Sequence, residues 1–469
     1  MYDYIVVGGG PGGINCALKL SKIGYRVALV ESLEDLGGCH RVRYTNNKII
    51  NNNRIVHTEH GPRIYLGAYL NFWNWVKEFN INKETEFKEY KFDLLSKDVT
   101  SFMSMFKIHE LLSFIVVYFF YCILRIPYST NYSVEKFVKT FRFTEKGKVN
   151  LNKICRLIDG GNMDKTLIGA LIDGFDIGLM YKIYEPRQPM NMLLWDKIKK
   201  KLKHQNVDLF LNTKVKKIQK GKVYTTNKML HSNKIIVTVP PVALSNIDGV
   251  AELIGYNKEQ LKKIAINQEY EPYVSSTIGF EKEQNKSIWG IAGKHPWGIV
   301  DIDMGKYFDN VSGSMFIASV THPDKIDPKT NMTANQMNET MFLDRIVELI
   351  KEKYEIKQEP IIKTFSPSVK KVNGVWKEVD RSYMFSPPGF MKPSIEVQNK
   401  NKIWITGHHL GNSFHTYNSM ESALQNSNTL LSKLEPRIDI RNKEPFKLST
   451  IILIIFLIIL IYMSIWKKK

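Results

Sequence analysis

Cysteine is scarce in this chain. The four cysteines, Cys16, Cys39, Cys122 and Cys155, are scattered, and no two of them form a Cys-x-x-Cys pair. This spacing excludes the common zinc-binding motifs and a disulfide framework. We therefore predict free thiols in a reducing compartment and no metal site.

Internal repeats and low-complexity tracts are also missing, which argues against a solenoid or a disordered tether. The opening residues MYDYIVV have no basic region ahead of the apolar run, so we expect no signal peptide. With 469 residues, 43% of them hydrophobic, the chain can form two or three packed domains.

Acidic residues are outnumbered by basic ones. The chain has 66 Lys and Arg against 46 Asp and Glu, a formal net charge of +20. The lysines are spread along the chain as on any solvated surface, and no nucleic-acid motif accompanies them. We therefore predict no binding of nucleic acid.

A glycine-rich turn near the N-terminus carries the most informative motif. Residues 3–7 predict a strand, 12–23 a helix, and a second strand ends at Glu31, which together make a βαβ unit. The turn has the G-x-G-x-x-G arrangement, and its predicted cofactor-binding residues are Gly8, Gly10, Pro11, Gly12 and Gly13. Small residues here let a pyrophosphate reach the amides of the helix N-terminus. Glu31 is predicted to accept hydrogen bonds from ribose hydroxyls, and an acid there disfavours a 2′-phosphate.

Further motifs follow in a characteristic order. They are LGGCHR at 36–41, EHGPR at 59–63, TKVKKI at 213–218, IIVTVPP at 235–241, ITG at 405–407 and SMESAL at 419–424. Together with the glycine-rich turn they resemble the flavin amine oxidase, phytoene desaturase and protoporphyrinogen oxidase superfamily. The resemblance implies non-covalent FAD, with a helix N-terminus facing the flavin. It implies these further cofactor-binding residues: Gly37, Gly38, Arg41, Gly61, Pro62, Arg63, Val215, Gly407, His408, Ser419 and Met420.

The chain departs from the amine oxidase pattern at three positions. Cys39 follows the Gly-Gly pair where amine oxidases usually have arginine. Ser275 aligns with their lysine near the flavin, and Arg381 aligns with the cysteine that binds flavin covalently in monoamine oxidases. The segments 61–65 and 407–424 also resemble UDP-galactopyranose mutases, in which reduced FAD is a nucleophile.

Four residues are candidates for catalysis, each with a plain structural alternative. Arg63 is a candidate for binding a substrate carboxylate, or it forms a structural ion pair. Tyr383 would form an aromatic wall at the flavin, or it packs in the core. His415 and Tyr417 precede the last motif and are candidates for acid–base groups, or they are structural.

Two apolar segments bear on contact with a membrane. Residues 448–466 form an uncharged run of 19 residues followed by three lysines, which predicts a C-terminal transmembrane anchor with the catalytic part facing the cytosol. The polar segment 436–447 is predicted to be a linker. Residues 111–124 predict either a core helix or a helix that dips into one face of a bilayer.

We therefore expect an α/β fold with a discontinuous Rossmann-like FAD-binding domain, an inserted α+β substrate domain and the C-terminal transmembrane helix. The FAD domain is expected at 1–70, 190–250 and 395–435, and the substrate domain at 71–189 and 251–394.

The expected function is a membrane-anchored, FAD-dependent oxidoreductase. It would oxidise an amine or a porphyrinogen-like small molecule by hydride transfer to the flavin, with O2 as the acceptor. The alternatives are a mutase-like flavin isomerase and a catalytically idle flavin-binding scaffold. The oligomeric state does not follow from the sequence.

Overall fold

The computed structural model describes the chain except for residues 42, 50–53, 59–63, 91–103, 128, 130, 160, 179, 255–258, 260–261, 263–273, 285–294, 310, 312, 367–368, 379–398, 412, 414–417 and 467–469. Within this part the strands are β1 Tyr4–Val7, β2 Val27–Val30, β3 Arg43–Ile49, β4 Arg54–Thr58, β5 Tyr65–Leu66, β6 Phe87–Tyr90, β7 Ile183–Pro186, β8 Asp208–Phe210, β9 Val215–Gln219, β10 Lys222–Thr225, β11 Met229–His231, β12 Ile235–Val237, β13 Val274–Phe280, β14 Val300–Asp303, β15 Ser314–Val320, β16 Ile362–Phe365, β17 Val369–Val372, β18 Val375–Glu378 and β19 Ile403–Ile405.

The α-helices of the described residues are α1 Pro11–Lys22, α2 Leu70–Lys77, α3 Lys83–Glu86, α4 Ile108–Tyr118, α5 Val134–Thr140, α6 Glu145–Asp159, α7 Ile168–Gly178, α8 Asp196–His204, α9 Pro241–Leu244, α10 Val250–Leu253, α11 Glu339–Tyr354, α12 Met420–Leu434 and α13 Leu448–Trp466. Two π-helical segments, Phe119–Ile123 and Asn191–Trp195, continue α4 and precede α8.

A five-stranded parallel sheet organises the cofactor-binding part, with strand order β19-β12-β1-β2-β8. Strands β1 (YIVV) and β2 (VALV) are buried along their whole length. Such continuous apolar runs suit a sheet that is covered on both faces. Strand order reverses between β1 and β12, and ligands of open α/β sheets bind at such a reversal, outside the carboxyl ends of the strands. The Rossmann-like α/β fold predicted from the sequence is confirmed.

A second, antiparallel sheet has strand order β14-β15-β13-β16 and packs against α11. Its core contains large aromatic side chains, among them Trp297, which stacks on Phe342 with ring centroids 5.5 Å apart. The small sheets have strand orders β5-β7-β6, β11-β10-β9, β17-β18 and β3-β4.

Helices α4 to α7 form a separate helical layer around an aromatic core that includes Phe137 and Phe143. The C-terminal helix α13 packs against α7 and against the π-helical segment that follows α4.

The predicted transmembrane anchor is not supported. A helix does form at Leu448–Trp466. In the part of the chain that the structure describes, no helix is both long and apolar enough to span a bilayer.

Candidate dinucleotide site

The glycine-rich turn joins β1 to α1 in a conformation that depends on glycine at two places. Gly8 has φ +111°, a backbone conformation that side chains disfavour. A Cβ atom at position 13 would lie 1.9 Å from the carbonyl oxygen of Gly8, so the helix can approach the strand this closely only through glycine. Helix α1 then starts at Pro11, and its N-cap residue Gly10 provides no side-chain hydrogen bond. The first turn therefore offers amides and a positive dipole end to an anion.

The Glu31 carboxylate lies beside this turn, directly after β2. It is 8% exposed. Its Oε2 accepts a hydrogen bond from Gly9 N–H at 2.6 Å, and its Oε1 accepts one from Leu33 N–H at 2.9 Å. The sequence motif and the structure thus place the acid at the same edge of the sheet as the glycine turn. A carboxylate there can accept hydrogen bonds from a ribose.

The Gly37-Gly38 pair closes over the glycine turn from the other side. Gly37 N–H donates to the carbonyl oxygen of Gly9 at 2.9 Å. A Cβ atom at Gly37 would lie 2.7 Å from the ring of Trp195, whose Nε1–H donates to the carbonyl oxygen of His40 at 2.8 Å. Arg41, which follows this loop, is buried. Sequence reasoning missed Trp195, although an aromatic residue at the start of an amphipathic helix was a usable signal.

A second helix N-terminus meets the first one. Helix α12 starts at Met420, and its N-cap residue Ser419 accepts a hydrogen bond from Ser422 N–H at 3.0 Å. A Cβ atom at Gly12 would lie 3.3 Å from the carbonyl oxygen of Ala423. The first turns of α1 and α12 are thus in contact, and their positive dipole ends lie at one edge of the parallel sheet.

The loop after β19 is fixed by a buried asparagine. Asn426 Nδ2 donates to the carbonyl oxygens of Gly407 at 2.6 Å and of Leu410 at 3.0 Å. Gly407 itself has φ +150°, and His408 next to it is partly buried with its ring centroid 5.8 Å from that of His409. Sequence reasoning did not single out Asn426.

Two other predicted positions are also placed. Val215 starts β9 and packs in a core cluster with Val7 and Val30, at the ends of β1 and β2. Ser275 is buried in β13, and its Oγ lies 2.8 Å from Oγ of Ser319. The structure therefore puts a neutral hydroxyl pair at the position where the sequence resemblance predicts the loss of a lysine.

Several predicted residues lie outside the described residues, and their roles stay predictions. They are Gly61, Pro62, Arg63, Arg381, Tyr383, His415 and Tyr417.

The described residues fit the adenosine diphosphate part of FAD. A Cβ atom at Gly10 would have one described heavy atom within 4 Å, Gly38 Cα at 3.9 Å. No side chain of Gly10 or Gly38 fills the narrow space at the N-terminus of α1, so a pyrophosphate can approach the backbone there. Glu31 and the start of α12 lie along the same edge, so an elongated dinucleotide can contact all three.

Comparisons with known proteins agree with this geometry. Residues 6–79 match the family model of the NAD(P)-binding Rossmann-like domain. Cyclohexylamine oxidase from Brevibacterium oxydans is 11% identical with a TM-score of 0.65, covering 94% of this chain and 100% of that one. A triple mutant of putrescine oxidase is 13% identical with a TM-score of 0.65, covering 93% and 99%.

A protein assigned as a protoporphyrinogen oxidase, from Exiguobacterium sp. 255-15, is 12% identical with a TM-score of 0.64. The match covers 92% of this chain and 98% of that one. The chain therefore shares its overall fold with these three solved structures. The resemblance found in the sequence motifs is therefore confirmed at the level of the fold.

Among curated sequences, dihydrolipoyl dehydrogenase 3 of Pseudomonas aeruginosa is 54% identical over 37 residues. These residues make up 8% of this chain and 8% of that protein. The chain thus matches only a small part of this relative's length, and the similarity bears on a short segment alone.

Replacing Glu31 by alanine should weaken FAD binding about ten- to hundredfold, since a hydrogen bond to a charged group contributes about 1.5–3 kcal/mol. Titration of FAD-depleted protein with FAD, followed by flavin fluorescence, measures this. Glu34→Ala is the matched control, because Glu34 is exposed three residues further on. An unchanged affinity in Glu31→Ala would show that the ribose is bound elsewhere.

Proposed function

We propose that this protein is an FAD-dependent oxidoreductase that oxidises an amine or a porphyrinogen-like small molecule, with O2 as the acceptor. The observation that carries the proposal is the meeting of two helix N-termini beside a buried carboxylate, at the strand-order reversal of the parallel sheet. Bound non-covalently there, FAD would supply a two-electron acceptor.

The chain's own residues would bind and orient the cofactor. The first turn of α1 neutralises pyrophosphate charge through its amides, and Glu31 accepts from ribose hydroxyls. Met420 starts the second helix, and the dipole there favours negative charge on whatever part of the cofactor reaches it. The buried Asn426 fixes the loop at Gly407 in one position, which keeps this edge of the site rigid.

The substrate side of the proposal rests on what replaces the amine oxidase lysine. Ser275 and Ser319 are both buried, and their hydroxyls pair with each other. No positive charge is supplied from these two positions. We therefore propose that the substrate is oxidised without help from a lysine at position 275. This favours the porphyrinogen-like class over simple primary amines.

The test is the absorbance spectrum of the purified full-length protein, recorded without oxygen before and after addition of amines or protoporphyrinogen. The proposal expects a flavin band that one substrate class bleaches and that air restores. A bound flavin that only dithionite bleaches would contradict oxidase activity. If UDP-galactopyranose then isomerised without net oxidation, the mutase alternative would replace it. Purified protein that neither contains nor takes up flavin would refute the cofactor assignment as well.

A further inference from the structure

Helix α4 has an apolar face turned toward solvent. Ile108, Leu112, Ile115 and Phe119 are 70%, 53%, 61% and 48% exposed. They are spaced by four, three and four residues, so they form one continuous stripe along α4 and into the π-helical segment. We name these four residues the α4 stripe. Single exposed apolar residues are ordinary, but a continuous stripe marks a surface that is covered by something.

The opposite face of α4 packs into the helical layer and carries the buried charge of Glu110, so the helix cannot turn its stripe inward. Glu110 is completely buried, and its carboxylate accepts hydrogen bonds from the backbone N–H groups of Lys107 and Thr144 at 2.7 and 2.6 Å and from the Thr144 hydroxyl at 2.9 Å. Burial alone would raise the pKa of Glu110, but these hydrogen bonds lower it below its ordinary value. Rotating the helix would break these hydrogen bonds and would leave the carboxylate either exposed to solvent or buried without partners.

The C-terminal helix is fastened next to the stripe by a buried aspartate. Asp176 of α7 accepts hydrogen bonds from Ser449 N–H and Ser449 Oγ–H, each at 2.7 Å, and from the Tyr118 hydroxyl at 2.7 Å. Lys447 adds an ion pair to Asp173 at 2.7 Å. Asp176 thus joins the end of α4, the last turn of α7 and the first turn of α13, where a negative charge is favourable to the helix dipole.

The hydrogen bonds of Asp176 hold a second apolar surface, on α13, beside the α4 stripe. Phe456 and Leu457 of α13 are 57% and 55% exposed, and α13 packs against the π-helical segment that carries Phe119. The two exposed apolar faces therefore adjoin each other. The hydrogen bonds and the ion pair that hold α13 in place are made by residues outside both faces.

The exposed charges at the ends of the α4 stripe are basic, and the acids next to the stripe are ion-paired or hydrogen-bonded inside the helical layer. Between Glu110 and Glu135 the sequence has one charged residue, Arg125, and residues 446–469 contain no acid. Lys107 and Arg125, at the two ends of the α4 stripe, are both exposed. A second copy of this chain would bring these bases against each other, whereas an anionic lipid surface complements them.

We propose that the α4 stripe and the adjoining face of α13 bind together to the surface of an anionic lipid bilayer, with the apolar side chains in the interface and Lys107 and Arg125 at the headgroups. This surface does not involve the dinucleotide site, so the inference stands or falls separately from the proposed activity.

The experiment measures partition of the full-length protein onto vesicles of phosphatidylcholine, with and without phosphatidylserine, by flotation. Ile115→Ser combined with Phe119→Ser should lower the partition coefficient on both vesicle types by about two orders of magnitude, because two half-exposed apolar side chains no longer enter the interface. Arg125→Glu should weaken binding to the phosphatidylserine vesicles alone, and added salt should have the same effect.

The matched control is Ile361→Ser combined with Val372→Ser, which removes two side chains 49% and 38% exposed outside the helical layer. It should bind like the unchanged protein. Circular dichroism and the melting temperature verify that each variant is folded. If Arg125→Glu and the stripe variant both partition like the control, the proposal is wrong. A stripe variant that keeps its vesicle binding but loses self-association in sedimentation would identify a second copy as the occupant and overturn the lipid proposal.

Discussion

Replacing Gly13 by alanine is expected to abolish flavin retention and to lower the free energy of unfolding by about 3 kcal/mol or more. The added Cβ atom would lie 1.9 Å from the carbonyl oxygen of Gly8 and 2.6 Å from Oγ1 of Thr238. Backbone cannot yield as a side chain can, so α1 must move away from β1. Thermal unfolding and the flavin-to-protein absorbance ratio of the purified variant measure both effects.

Gly10→Ala is the matched control, because it separates cofactor binding from folding. Gly10 has φ −76°, which alanine adopts readily, and Gly38 Cα is the nearest described heavy atom to an added Cβ, at 3.9 Å. The variant should therefore keep its melting temperature and lose FAD, since the methyl group occupies the space a pyrophosphate needs. Flavin retained at the normal ratio in Gly10→Ala would contradict the assignment of this turn to the cofactor.

Asp327→Ala is the second variant with a large expected effect, a loss of about 3–5 kcal/mol in the free energy of unfolding, because it removes the buried partner of a buried guanidinium and leaves that group only the exposed acids Glu348 and Glu352. Asp327 is fully buried, and Arg345 donates to both its carboxylate oxygens, at 2.8 and 3.0 Å. His295 and the Thr330 hydroxyl complete the cluster at 3.0 and 2.8 Å.

Denaturant unfolding measures the loss at Asp327. Asp344→Ala serves as the control, since its ion pair with Lys363 is about half exposed and should contribute at most about 1 kcal/mol. Equal losses in the two variants would show that the buried cluster adds nothing beyond a surface pair.

The Asp327 cluster also has a pH signature. Burial alone would raise the pKa of Asp327, but hydrogen bonds from Arg345, His295 and Thr330 outweigh it and lower the pKa well below its ordinary value. A lowered carboxyl pKa stabilises the fold above the unfolded-state value of about 3.9 and loses that stabilisation as the pH falls further. The stability difference between the unchanged protein and Asp327→Asn should therefore shrink below about pH 4. A constant difference would mean that the charge of Asp327 is irrelevant.

The parts of the site that sequence could predict are those in which local chain geometry and chemistry coincide. The strand, the glycine turn and the helix that starts at Pro11 are contiguous, so one motif determines all three. The predicted helix after Ser419 likewise has its N-cap there. Trp195 was missed because it acts on a loop far away in sequence, at Gly37. Asn426 was missed because its role depends on the folding of the loop at Gly407 back onto α12.

Apolar runs proved harder to interpret. The pattern at 111–124 left a core helix and a bilayer-facing helix both open, because periodicity identifies a stripe but not what the stripe faces. The structure answers part of this question through Glu110, whose buried hydrogen bonds fix its side of the helix inward and leave the α4 stripe outward. The uncharged run at 448–466 correctly predicts a helix. A helix that spans a bilayer must be both long and apolar, and no helix of the described residues meets both conditions.

The order of the parallel sheet has a consequence for how the protein is made. Ile5 can pair with Ala28 soon after both emerge from the ribosome. Its partner on the other side, Ile235, is synthesised much later, and the next partner of Ile235, Ile403, later still. One edge of β1 therefore stays unpaired for about half of the chain's translation, and an unpaired apolar strand is a hazard for aggregation. The two helix N-termini that meet at Gly12 and Ala423 come together only when synthesis is almost finished. We therefore expect FAD to be taken up only after translation.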